Sequence, residues 1–213
     1  MSHRPVEFTI SAWMTIIMMM IMIMAGCAGL EKPYPAKQYF AIDAGDPATV
    51  ETRNEGIVVR VLRLRITEPF ARQSFVYRKS ASEYETDYYH VFTADPAMLL
   101  TGETIQWLDA TELFDAVIDT ASSIDHQYLL ESQATTLCGD FTTGQTPRAM
   151  IEAKFFLIDD RGAESVIKFQ REYNETEELP QTDAQALAEG WGKCYGRILA
   201  TLTDDLSKLE FEP

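Results

Sequence analysis

The sequence predicts an α+β domain: a largely antiparallel sheet with two main helices packed on one face, in the order β-β-β-α-β-β-β-α. Three observations predict it. Several stretches alternate apolar and polar residues with period two, the mark of half-buried strands. Two others place apolar residues three and four apart, the mark of amphipathic helices. Each helical stretch also follows a strand-rich run, so both helices can lie over the same sheet.

In chain order, "KQYFAID", Lys37 to Asp43, reads as a short first strand with Tyr39 and Phe40 as its bulky residues. Gly45 to Gly56 is a loop rich in turn formers. "IVVRVLRLRI", Ile57 to Ile66, reads as one strand. Its second half alternates Leu62, Leu64 and Ile66 with Arg63 and Arg65, and Pro69 follows. "SFVYRK" and "EYETDYYHVF" read as a hairpin. Tyr84, Tyr88, His90 and Phe92 are expected on one face of its second strand, as plain sheet packing or as a partner-binding or lipid-facing stripe. Asp95-Pro96 is a helix start, since Asp caps and Pro suits the first helical position. Leu100, Thr104, Trp107 and Leu108 follow at helical spacing, with Gly102 as a weak point. "ELFDAVID" is compatible with either helix or strand.

Three strands come next. The first carries Tyr128, Leu130, Ala134, Thr136 and Cys138 on one face. The second carries Ala149, Ile151, Ala153, Phe155 and Leu157, and the third Ile167, Phe169 and Tyr173. Turn chemistry in "GDFTTGQTP" and "DDRGAE" makes them antiparallel neighbours. The last element is a long helix, about Asp183 to Leu209, started by a capping box of Thr182 and Gln185. Leu187, Trp191, Cys194, Ile198, Leu202 and Leu206 form its apolar stripe. Gly190, Gly192 and Gly196 lie on or beside that stripe, as close helix–sheet packing requires.

Residues 1–26 read as a signal peptide. Arg4 and the amino terminus give a positive start, and Trp13 to Met24 is nearly all apolar, with Met14, Met18, Met19, Met20, Met22 and Met24. That apolar run is shorter than the roughly 20 residues a spanning helix needs. An uncleaved anchor over Phe8 to Leu30 is the alternative. Met24-Ala25-Gly26-Cys27 is similar to a bacterial lipobox, which makes Cys27 the expected lipidation site and first mature residue. Two or more acyl chains hold a protein stably on a membrane, where one chain alone is marginal. Ala28, in place of Asp after the cysteine, favours the outer membrane. Residues 27–38, with Pro33 and Pro35, read as a tether, and residues 39–213 as one domain.

With 18 Lys and Arg against 33 Asp and Glu, the net charge is −15. That argues against nucleic acid, whose binding needs clustered basic residues, and against electrostatic docking on anionic lipid; the acidity reads as solubility or as an acidic face for a basic partner protein. With Cys27 lipidated, Cys138 and Cys194 remain. Both are expected to face inward, as a disulfide or as two unpaired buried thiols. His90 and His126 have no metal-ligand spacing. Asp159-Asp160 and Asp204-Asp205 read as solvated carboxylates. No nucleophile elbow, phosphate loop or zinc-protease motif occurs, so neither an enzyme nor a cofactor is expected.

The chain resembles the ABC-type transport auxiliary lipoprotein family, the group of the PqiC-like lipoproteins. The resemblance lies in the lipobox, "QYFAID", "VVRVLRLRITEPFARQSFVYR", "FDAVID", "YLLESQATTLCGDF", "AMIEAKFFLIDDRG" and the terminal amphipathic helix. It implies a lipid-anchored, periplasm-facing accessory of an ABC-type transporter and its MCE (mammalian cell entry) protein. Such systems move lipids or other hydrophobic molecules between envelope membranes. The partner-binding surface is expected at Phe70, Phe75, Tyr77 and Arg78, around the proline turn. The competing readings are a lipid-binding lipoprotein acting alone or as a homo-oligomer, and a structural, pilotin-like lipoprotein.

Overall fold

The computed structural model describes residues 13–15, 17–19 and 35–212, in two compact units, Met1–Pro35 and Ala36–Pro213. In the first unit the described residues 13–15 and 17–19 are helical. Cys27 and the tether up to Tyr34 lie outside the described residues. Among the described residues no helix is long and apolar enough to cross a membrane.

The second unit is the α+β domain. Its strands are β1 (Gln38–Phe40), β2 (Asn54–Val61), β3 (Arg65–Ile66), β4 (Ser74–Arg78) and β5 (Tyr84–Phe92), then helix α1 (Pro96–Ala110). Strands β6 (Phe114–Ile118), β7 (Tyr128–Asp140), β8 (Arg148–Asp159) and β9 (Val166–Glu178) follow, then helix α2 (Ala184–Ser207). "FDAVI" is therefore strand, and of the expected first strand, Lys37 to Asp43, Gln38–Phe40 is paired.

All nine described strands form one sheet organised around β7. One edge of β7 pairs antiparallel with β8, from Tyr128↔Asp159 to Asp140↔Arg148, and β8 pairs antiparallel with β9. The other edge takes three partners in succession, all parallel: β2 at Val59↔Tyr128, β3 at Arg65↔Gln133 and β4 at Tyr77↔Gly139. Beyond them, β6 lies parallel to β2, β5 antiparallel to β4, and β1 parallel to β5. The sheet is thus antiparallel in its longest ladders and parallel along the other edge of β7. Parallel neighbours need long crossovers; the hairpin and α1 lie between β2 and β6. The expected strand Ile57–Ile66 is split into β2 and β3. At the break Leu64 is buried, and its amide donates to Thr101 Oγ1 of α1 instead of to the ladder.

Helix α1 starts as the sequence indicates. Asp95 accepts from the Ala97 amide at 2.8 Å, Pro96 takes the first position, and Leu100, Thr104, Trp107 and Leu108 are buried. Helix α2 starts differently: Asp183 is the cap, accepting from the Ala186 amide at 2.8 Å, while Gln185 turns outward to Glu189. The Thr182–Gln185 capping box does not form. All six stripe residues of α2 are fully buried, each contributing about 1.5–3 kcal/mol for a Leu- or Ile-sized side chain. The helices pack side by side over the same core. Thr104 Oγ1 and Tyr195 OH lie 2.6 Å apart, and Trp107 Nε1 donates to Thr203 Oγ1.

Two of the three α2 glycines do more than pack on the sheet. Gly190 does face β8, where a methyl would sit 2.8 Å from the Ala149 Cβ. A methyl at Gly192 would strike the carbonyl oxygen of Asp43, and one at Gly196 that of Ala44. These two glycines seat the backbone that follows β1 directly on the helix.

The cysteines are not bridged; both are buried free thiols. The reason is a register shift in β7 between Ala134 and Thr136. The extra residue reverses the alternation. Leu137 then pairs with the inward Ile151, and Gly139 faces Leu187 of α2. Cys138, paired with Met150, lies on the opposite face of the sheet from α2, while Cys194 Sγ lies beneath the Ala149 carbonyl on the helix side. The sheet stands between them. Burial pushes both thiols up to about 12, which removes their nucleophilicity near neutral pH.

Candidate functional site

The four residues expected to make a partner surface do not share one. Phe75 is 0 % exposed, and its ring packs on Phe40, Phe92 and Trp191 with centroids 5.2, 4.8 and 4.7 Å away. Phe70 is 7 % exposed and lies edge-on to Tyr84. Both are held in the fold: the strand alternation sends Phe75 under α2, and a turn closed by the Phe70 amide on the Thr67 carbonyl folds Phe70 back. Arg78 lies on the far face, where Arg78 and Arg148 both grip the buried carboxylate of Asp140. Burial opposes the Asp140 charge, yet hydrogen bonds from Arg78, Thr142 and Arg148 hold it well below the usual carboxylate range.

Tyr77 leads to the site instead. Its hydroxyl donates to Asp87 Oδ2 at 2.6 Å, and His90 Nδ1 lies 2.6 Å from the same oxygen. Asp87 Oδ1 accepts from the Tyr89 and His90 amides. Burial pulls the Asp87 carboxyl up, but these hydrogen bonds from Tyr77, His90 and Tyr89 outweigh it and bring it down to about 2. Burial and the Asp87 carboxylate together push the Tyr77 phenol far above its usual range. The residues around Asp87 form an irregularity in the β4–β5 ladder between Ser74 and Val76. It breaks the expected aromatic stripe. Phe92 is buried and His90 half-buried, while Tyr88 is 69 % exposed, with the Lys37 ammonium 4.7 Å above its ring.

Beside this irregularity runs an open groove between β1 and the first half of α2. One stretch, of about 610 Å³, is lined by Tyr39–Ala41, Asp43–Gly45, Gln185, Ala188, Glu189 and Lys193. It continues past Phe40 to Gln38, His90 and Thr182–Ala184, and then to Tyr77, Lys79 and Phe141. Phe40 forms part of its floor, with its ring 5.9 Å from that of His90. Tyr39 stands on the rim, 64 % exposed. No motif in the sequence marks this groove. Its one visible signal was Tyr39-Phe40, an outward and an inward aromatic in the first strand after the tether.

Among the described residues no group of three or more His, Cys, Asp or Glu is placed to hold a metal ion. The groove offers backbone edge, aromatic surface and carboxylates. That chemistry suits recognition of an extended ligand by shape and hydrogen bonds.

No protein-family model matches the chain, and no curated protein does. Solved structures show the fold. The crystal structure of XCC0632 from Xanthomonas campestris, of the DUF330 family, superposes with a TM-score of 0.70 at 13% sequence identity. The match covers 78% of this chain and 92% of that one. A crystal structure described only as an uncharacterised protein superposes with a TM-score of 0.62 at 11% identity, covering 80% of this chain and 99% of that one. The α+β architecture described above is therefore one that solved proteins share over almost their whole length.

Proposed function

We propose that the chain is a lipoprotein anchored through Cys27 and facing the periplasm from the outer membrane. There it docks the protein partners of an ABC-type transporter and its MCE protein, in a system that moves lipids or other hydrophobic solutes. The observation that carries this reading is the placement of the groove. A lipobox cysteine stands eleven residues before β1, and β1 itself forms the exposed wall of the groove. Anchor and recognition surface thus belong to one end of the sequence. The family resemblance of the sequence supports the same role, and the fold shared with the DUF330 protein is consistent with it.

Two measurements test the reading. Labelling with a radioactive fatty acid is expected for the wild type and absent for Cys27→Ala; equal labelling would refute the anchor. Affinity capture of the lipidated protein from cross-linked envelopes is expected to bring down an MCE-domain protein with transporter subunits. Capture of neither would refute the docking role.

A further inference from the structure

The open edge of β1 is short, three residues, and lies along the groove. Long exposed edges are normally guarded by charges or bulges. The opposite end of the sheet follows that rule: β9 carries Lys168 and Arg171, and its pairing with β8 is irregular beside Lys168. Strand β1, Gln-Tyr-Phe, carries no charge, and its second edge pairs with no strand among the described residues. The pairing with β5 fixes which backbone groups are free. Phe40 O accepts from the Thr93 amide, so Phe40 addresses β5. By alternation, Tyr39 and then Ala41 direct their amide and carbonyl groups the other way. Both residues line the groove.

The opposite wall is the exposed flank of α2, with Gln185, Glu189 and Lys193 spaced one turn apart and the small Ala188 between them. The spine of the groove is held firm, because Gly192 and Gly196 let the Asp43 and Ala44 carbonyls rest on the helix. Its two lining lysines are both paired, Lys79 with Glu85 at 3.3 Å. The Lys193 ammonium is already matched by Glu177 at 3.2 Å. Asp43, Asp183 and Glu189 accept hydrogen bonds only from neutral donors among the described residues: the Gly45 amide, the Ala186 amide and the Gln185 side chain. Three carboxylates without a cationic partner thus surround an edge of unpaired backbone groups.

We propose that this groove binds an extended, basic segment of a partner protein by strand addition. The segment pairs its backbone with Tyr39 and Ala41 and directs alternate Lys or Arg side chains toward Asp43, Asp183 and Glu189. Main-chain pairing supplies affinity in this mode, and alternate side chains supply specificity. The proposal rests on the docking role above and specifies its chemistry.

The test uses the purified full-length chain in neutral-detergent micelles and a fluorescent, end-blocked hexapeptide of alternating Lys and Val. Saturable binding is expected in fluorescence anisotropy. It should fall at least tenfold when the pairing amides of the peptide are N-methylated, and at least tenfold in Glu189→Lys, whose side chain is exposed and outside the core. In amide NMR spectra the peptide should shift Tyr39, Ala41 and Gln185. Absence of binding would overturn the proposal. So would equal affinity for the N-methylated peptide, equal affinity for an alternating Glu and Val peptide, or shifts confined to β9. The capture experiment separates this inference from the docking role. If Glu189→Lys still captures the MCE-domain protein as well as the wild type, the groove is not its dock and the role stands. If the wild type captures nothing, the role falls and the peptide titration judges the groove on its own.

Discussion

From Tyr128 onward the chain forms three long strands joined by short loops, with neighbours in sequence paired as neighbours in space, and a helix that covers them. Before Tyr128 the strands are shorter and mostly parallel to their partners. They are interrupted at Leu62–Leu64 and around Asp87, and tied down by side chains bonded to backbone. The C-terminal half takes its order from side-chain alternation and burial. The N-terminal half takes its order from specific polar contacts, and it leaves an unpaired edge and a groove exposed. The regular half is the scaffold, and the irregular half, together with the flank of α2, lines the groove proposed above for docking.

The largest way to break this arrangement is at the point where the halves join. Trp191 of α2 packs on Phe75 and Phe92 of the N-terminal half and donates to the Cys138 carbonyl of the C-terminal half at 3.1 Å. Trp191→Ala is expected to cost about 3–5 kcal/mol in urea unfolding. Within the scaffold, Gly190→Ala forces a methyl against Ala149 and Leu179 and is expected to cost about 1–3 kcal/mol.

In the N-terminal half, Asp87 makes stability depend on acid. Its folded pKa of about 2 lies below the ordinary carboxylate value. Its contribution is therefore complete above about pH 4 and lost as pH falls through 2. At roughly 1.4 kcal/mol per pKa unit this amounts to about 2 kcal/mol. Asp87→Asn should flatten the fall in melting temperature between pH 4 and pH 2; an unchanged fall would contradict the role given to Asp87. The smallest effect has the opposite sign. Gly102 of α1 has open space around it, so Gly102→Ala should stabilise the protein by about 1 kcal/mol.

The same contrast explains what was legible in the sequence. The α2 stripe, the β8 alternation and the Asp95-Pro96 helix start are set by burial and local capping, which a sequence displays directly. The β7 bulge was not legible, because Ala134-Thr135-Thr136 places small or polar residues on both faces and hides the change of alternation. That one hidden residue moved Cys138 to the face opposite Cys194. The parallel partners of β7 come from distant segments, and no local pattern announces them. At the site, Phe70 and Phe75 read as a surface cluster because they flank a proline turn, yet their neighbours in space bury them. Asp183 caps α2 one residue from the expected Thr182, which also places Gln185 on the groove wall.

The division between scaffold and the proposed recognition surface is tested most directly by photo-cross-linking at two open edges of the sheet, β1 and β9. A photoreactive phenylalanine analogue would replace Tyr39 on β1 or Ile167 on β9, both exposed, in the lipidated protein in native envelopes. Cross-links to the MCE-domain protein are expected from position 39 and not from position 167. Cross-links from position 167 alone would assign docking to the regular half and contradict the division drawn here.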